Sequence, residues 1–140
     1  LDNLVRLFDL IVVLARRRYH AAEHHFKVLG LNHTKANLLT LLDREGGVAT
    51  QEELSNLIFL DRSNAGRALK CLEEQGYVER RKNTGDKRTN LVQITTKGSK
   101  AVIDISRLKK RIIKSVSGEL SDEQAGRIME MLEKTLKAEK

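Results

Sequence analysis

The chain has 140 residues, with 26 Lys and Arg against 19 Asp and Glu, a net charge of +7, and 40% hydrophobic residues. This composition suits one globular domain rather than a disordered chain, and its excess of positive charge suits an acidic partner. A single cysteine, Cys71, excludes a disulfide framework, a cysteine-cluster metal site and a CxxC redox pair.

The first segment, Asp2 to about Leu29, carries Leu4, Phe8, Ile11, Ala15, Tyr19, Ala22 and Phe26 at helical spacing, and Gly30 supplies a stop. Its most apolar run, Leu7 to Ala15, contains Asp9 and is too short to span a membrane. No signal peptide is read at the start, which favours a cytoplasmic location. Leu10 to Leu14 are apolar around nearly the whole helix circumference. A helix of that kind needs neighbours on several sides, and in so small a protein a second subunit is the expected neighbour.

A second helix fits Asn32 to Arg44, capped by Asn32, with Leu38, Leu41 and Leu42 inward and Gly46 and Gly47 as its stop. Thr50-Gln51-Glu52-Glu53 reads as a capping box opening a short helix through Leu54 and Leu57. Asp61 then caps a helix to about Gln75, with Ala65, Ala68, Leu69 and Leu72 inward. Beyond Gly76, Tyr77 to Lys82 and Thr89 to Thr95 suit two strands joined by the polar tip Asn83-Thr84-Gly85-Asp86-Lys87. Thr95 or Thr96 caps a long helix bearing Val102, Ile105, Leu108, Ile112 and Val116, which Gly118 ends. Ser121 to Gln124 is a second capping box, followed by a helix with Ala125, Ile128, Leu132 and Leu136 on one face.

Two capped helices separated by a tight turn form a helix-turn-helix, whose second helix enters the DNA major groove. The outer face of the Asp61–Gln75 segment offers Arg62, Ser63, Asn64, Gly66, Arg67 and Lys70. Asn pairs bidentately with adenine and Arg with guanine, and first-turn amides hold phosphate. Gly66 costs helix stability and permits a close approach, DNA being one candidate surface. The competing reading is a solvated polar face. Across Arg80 to Asn90 the hairpin adds Arg80, Arg81, Lys82, Lys87 and Arg88, opposed only by Asp86. Basic shoulders on a polar tip suit phosphate or minor-groove contact, and Asp86 suits an ion pair with Arg88 or Arg81 that orients the fork.

The stretch Gln51 to Gly98, "QEELSNLIFLDRSNAGRALKCLEEQGYVERRKNTGDKRTNLVQITTKG", resembles the winged helix-turn-helix core of the MarR family of transcriptional regulators. The most diagnostic pieces are "LEEQGYVER", "GDKR" and "ITTKG"; "GLNHTKANLLTLL" and "LSDEQAGRIMEMLEKTL" extend the likeness over nearly the whole chain. The resemblance implies a mainly α fold with a small β-hairpin wing (α+β), a winged helix-turn-helix core over 32–98, and dimerisation helices over 1–29 and 99–140 of a single domain. It further implies a homodimer on a pseudo-palindromic site, with Ser63, Asn64 and Arg67 in the base-reading helix. Asp86 and Arg88 fall at the wing's acid–base pair, Arg88 as the minor-groove contact. Family habit favours repression, relieved by a small aromatic or anionic effector, for which Arg16 and Tyr19, beside Arg17 and Arg18, are the expected crevice residues.

Other signals are weaker. His20 and His24 share a helix face, yet Ala21 stands where a catalytic HExxH would need glutamate, so no metal is assigned. His25 and His33 are read as ordinary solvated or interface residues. Cys71 reads as small apolar filling, although neighbouring Lys70 leaves a redox role as an alternative. No phosphate loop, nucleophile motif or paired-carboxylate signature points to an enzyme, and no cofactor is expected. The chain reads as a sequence-specific regulator of double-stranded DNA. The alternatives are a non-specific architectural DNA-binding protein, or a redox- or metal-responsive regulator.

Overall fold

The computed structural model describes residues 1–58, 62–82, 85 and 90–138, with the Arg62 side chain outside that set. Six helices and three strands occur among them: α1 (Asp2–Phe26), α2 (His33–Arg44), β1 (Val48–Thr50), α3 (Gln51–Ile58), α4 (Arg62–Glu74), β2 (Val78–Lys82), β3 (Asn90–Ile94), α5 (Thr96–Val116) and α6 (Asp122–Ala138). The fold is mainly α with a small antiparallel sheet. No helix among the described residues is long and apolar enough to cross a membrane.

Local chemistry sets the boundaries. A 3-10 turn, Lys27–Leu29, closes α1, and Gly30 follows in the left-handed region at φ 69°. The Asn32 side chain accepts the Lys35 N–H at 2.8 Å, and Glu23 Oε1 on α1 accepts the His33 N–H at 2.9 Å. Two otherwise orphaned amides of α2 are thereby satisfied. Thr50 Oγ1 accepts the Glu53 N–H at 3.0 Å; the Glu53 carboxylate answers the Thr50 hydroxyl, also at 3.0 Å, giving a variant of the expected box. At α6 both arms of the box form, Gln124 N–H to Ser121 Oγ at 3.1 Å and Ser121 N–H to Gln124 Oε1 at 2.9 Å. Thr95, rather than Thr96, caps α5.

The sheet holds one strand more than the sequence suggested. β1 pairs with β3 (Ala49 opposite Val92) and β2 pairs with β3 on its other side (Arg80 opposite Val92), so β3 is central. Three residues with one buried position are too short to display a period, which is why β1 escaped notice.

The core gathers around α2. Leu38, Leu39 and Leu42 meet Leu54 of α3, Leu69 and Leu72 of α4, Val78 and Val92 of the sheet, and Ile105 of α5. Ala22 and Phe26, near the end of α1, pack into it, as does Ile112. Of the two leucines of α3, Leu54 is buried and Leu57 is 44% exposed. The rest of α1 leaves this core: every residue from Leu1 to His20 is exposed except half-buried Ile11. α6 buries none of its residues.

Candidate nucleic-acid interface

Helix α4 sits on the core through Ala65, Leu69 and Leu72, with half-buried Ala68 beside them. This phase turns Ser63, Asn64, Arg67 and Lys70 to the exposed side. The Arg67 guanidinium donates to Asn64 Oδ1, so two hydrogen-bonding heads suited to base edges stand together on the first two turns.

Gly66 has a different role from the one its position suggested. A Cβ there would stand 3.0 Å from Gln51 Nε2 of α3. The missing side chain accommodates the bracing helix, rather than an outer surface.

Strand alternation divides the basic residues of β2. Val78 and Arg80 lie opposite Ile94 and Val92, on the face that carries the buried Val92 and Ala49. Arg80 therefore points inward, with only 19% of its side chain exposed. Its Nη2 is 3.2 Å from Glu73 Oε1 of α4, its Nη1 donates to Gln51 Oε1 at 3.4 Å, and its backbone N–H donates to Glu73 Oε2 at 3.3 Å. The expectation of Arg80 as an outward wing contact is corrected accordingly. Arg81 and Lys82 are exposed. Asp86, Lys87 and Arg88 lie outside the described residues, as does the Arg62 side chain.

The turn after α4 is fastened to the end of α1. Gln75 Nε2 donates to the Gly30 carbonyl and the Tyr77 hydroxyl to the Leu29 carbonyl, both at 2.6 Å. Burial, then the Asp104 charge, pushes the Tyr77 hydroxyl pKa up, so it remains a donor. Lys97 lies 4.6 Å above the Tyr77 ring centroid and donates to the Gln75 carbonyl at 2.6 Å.

A cavity of about 520 Å³ opens between α1, α2 and α5. Ala22, Phe26, Ile112 and Ile113 form its apolar wall, Arg18, Lys109, Lys110 and Lys114 bring positive charge, and Asp122 at the start of α6 brings one carboxylate. Burial, then the Arg18 and Arg44 cations, pushes the Lys109 pKa down. Neither Arg16 nor Tyr19, the expected crevice residues, lines this cavity. Arg18, Ala22 and Phe26 share a helix face at four-residue steps, whereas Arg16 lies about 200° around the helix from Arg18. Tyr19 instead sets its ring edge-on to His33 at 5.7 Å. The Arg18–Ala22–Phe26 spacing was the available signal; Lys109, from a distant helix, had none.

His33 also lines the cavity, and burial, then Arg18, pushes its pKa down, with Glu23 opposing. The folded state thus binds fewer protons than the unfolded chain. The stability this contributes is full above the unfolded value of about 6.5 and is lost as pH falls through the lowered folded value. Thermal melts across this window should show a decline that His33→Gln makes shallower; an unchanged profile in the variant would exclude His33 as its source.

Cys71 is a half-buried free thiol beside a shallow groove between the start of α2 and α4. His24 and His25 stack edge-on with ring centroids 5.4 Å apart. Among the described residues, no group of three or more His, Cys, Asp or Glu is arranged to hold a metal.

This geometry has close counterparts. The MarR family profile matches residues 29–89. The chain is 30% identical over 137 residues to the HTH-type transcriptional repressor YetL of Bacillus subtilis, spanning 94% of this chain and 77% of that protein. It is 29% identical over 103 residues to the uncharacterised HTH-type transcriptional regulator YdgJ of the same organism, where the match spans 74% of this chain and 62% of the relative's length. The crystal structure of a mutant MarR from E. coli complexed with operator DNA superimposes with a TM-score of 0.81 at 23% identity, covering 96% of each chain. Helix order, wing strands and sequence agree, and the chain belongs to the MarR family of winged helix-turn-helix transcriptional regulators.

Proposed function

We propose that the chain is a sequence-specific double-stranded DNA-binding regulator, acting as a homodimeric repressor at a pseudo-palindromic operator. One observation carries the reading: α4 presents Asn64 and Arg67 on its exposed first turns, flanked by the exposed Arg81 and Lys82 of β2. A rigid helix with base-reading heads, beside a basic hairpin, is built for a groove and its adjacent phosphates. In this reading, residues 32–98 form the DNA-binding core, and residues 1–29 and 99–140 supply the dimer contacts. Arg62, Ser63 and Lys70 extend the helix contacts; Lys87 and Arg88 extend those of the wing, with Asp86 orienting Arg88.

The named repressor YetL and the operator-bound MarR mutant support the same assignment. Release by a small anionic or aromatic effector fits the cavity between α1, α2 and α5, where crowded cations meet an apolar wall. An anion there would relieve the repulsion between Arg18 and Lys109, which both line it.

The test is fluorescence anisotropy with duplexes selected from genomic DNA and with random duplex, over a salt series. Selected DNA should bind at least about a thousandfold more tightly than random DNA, and log affinity should fall against log salt with a slope of about −5 or steeper. A flat slope would sink the DNA reading; equal affinity for both duplexes would mark an architectural protein instead.

A further inference from the structure

We propose that Arg80 is a positioning residue for DNA recognition: with Glu73 and Gln51 it locks the base of the wing against the recognition helix and the helix that braces it. The proposal rests on the DNA-binding reading of α4 and β2.

The inner face of β2 explains why such a lock is needed. Val78 is buried, but the next inward position is Arg80 and the one after it is exposed Lys82. Arg80 is thus the last inward anchor among the described residues of β2, and a two-stranded hairpin without further packing is marginal. Four contacts converge on this residue. The backbone N–H reaches Glu73 Oε2, Nε and Nη2 reach Glu73 Oε1 at 3.4 and 3.2 Å, and Nη1 reaches Gln51. Gripping backbone and side chain by one carboxylate fixes the direction of the strand as well as its distance.

The far ends of the lock sit on the reading elements. Glu73 lies on the same rigid helix as Asn64 and Arg67, and Gln51 lies against Gly66 between them. Arg81, next in the chain, faces outward. The lock therefore sets the offset between outward wing cations and base-reading side chains without itself meeting DNA. A half-exposed ion pair contributes little net stability, but it specifies an arrangement.

Anisotropy over a salt series is combined with amide hydrogen exchange of the free protein. The variants are Glu73→Gln, Arg80→Gln, the swap Glu73→Arg with Arg80→Glu, and the outward comparison Arg81→Gln. On charge alone, Glu73→Gln would strengthen binding to a polyanion. The lock predicts the opposite, about a tenfold loss, in both single variants. Their salt slopes should equal that of the wild type, exchange at residues 79–82 should quicken, and the swap should restore at least half of the lost log affinity. Arg81→Gln should flatten the slope, as loss of a phosphate contact does.

A flattened slope for Arg80→Gln would overturn the proposal by making Arg80 a direct contact. So would tighter binding by Glu73→Gln, or unchanged exchange in both single variants. Wild-type protein without salt-dependent duplex binding would overturn the functional reading instead, while the exchange arm still decides whether the lock exists. Glu73→Gln serves as the second variant if Arg80→Gln fails to fold.

Discussion

Replacing Gly98 by alanine should destabilise the protein by about 3 kcal/mol or more, the upper end of overpacking costs, and lower the melting temperature by about 10 °C. A Cβ at this position would stand 2.2 Å from the Tyr77 carbonyl oxygen and 2.6 Å from Ile94 Cγ1. The carbonyl cannot step aside cheaply. It accepts the Thr95 N–H at 3.1 Å and lies 3.0 Å from the Thr95 hydroxyl, whose oxygen in turn accepts the Gly98 N–H at 3.1 Å. Relieving the clash breaks either the α5 cap or the closure of β2 on β3. Because the same turn carries the Tyr77 and Gln75 bonds to the end of α1, damage there should extend to the α1–α2 corner. Differential scanning calorimetry at matched protein concentration reads the result. A variant melting within about 2 °C of the wild type would mean that the backbones do not approach so closely.

The second large effect concerns the arms. Phe8 and Val12, one turn apart on α1, are 53% and 54% exposed, and α6 exposes Ile128, Met129, Met131 and Leu136. A monomer would leave this apolar surface in water, and the apolar positions on α1 surround the helix rather than forming one stripe. The proposed second copy, related by a twofold axis, covers both arms at once. Phe8→Glu with Val12→Glu would place four carboxylates in that interface. The expected product sediments as a monomer at micromolar concentration and binds its selected duplex at least about a hundredfold more weakly, because two tethered reading heads gain effective concentration that one lacks. These side chains touch no part of the chain's own core, so far-ultraviolet circular dichroism should retain the reading head. Wild-type protein that is itself monomeric would refute the dimer, and a double variant that stays dimeric would remove α1 from its interface.

What could be read from the sequence was whatever chemistry is local. Asn32, Thr95 and the Ser121–Gln124 pair announce helix starts because a cap needs only its neighbours three residues on. Gly30, Gly76 and Gly118 announce ends because positive φ favours glycine. The exposed run of α1 was equally plain, as it reflects composition around one helix. The rest depended on distance in the chain. Gly66 looked like part of a binding surface until Gln51, fifteen residues earlier, was found against it. Arg80 read as one of five hairpin cations; only its alternation with Val78, an unused period-two signal, separates it from Arg81. The cavity draws on four helices, and of the α1 residues read as a crevice Arg18 lines it while Arg16 and Tyr19 do not. Wing residues Asp86, Lys87 and Arg88 lie outside the described residues, so their assignment rests on the sequence and the family likeness.

The two 2.6 Å bonds from Tyr77 and Gln75 tie the reading head to the end of the arm, α1. Helix α1 has 25 residues, hence a length of about 37 Å. In the proposed dimer, with the arms held at their far ends, a rotation of each arm by about 5° displaces its head by about 3 Å, close to the rise of one base step. In that dimer the arm would work as a lever. An effector in the cavity beside Arg18 would need to produce no rearrangement within α4 or the wing; a small change in the pitch of the arms would put both heads out of step with the grooves.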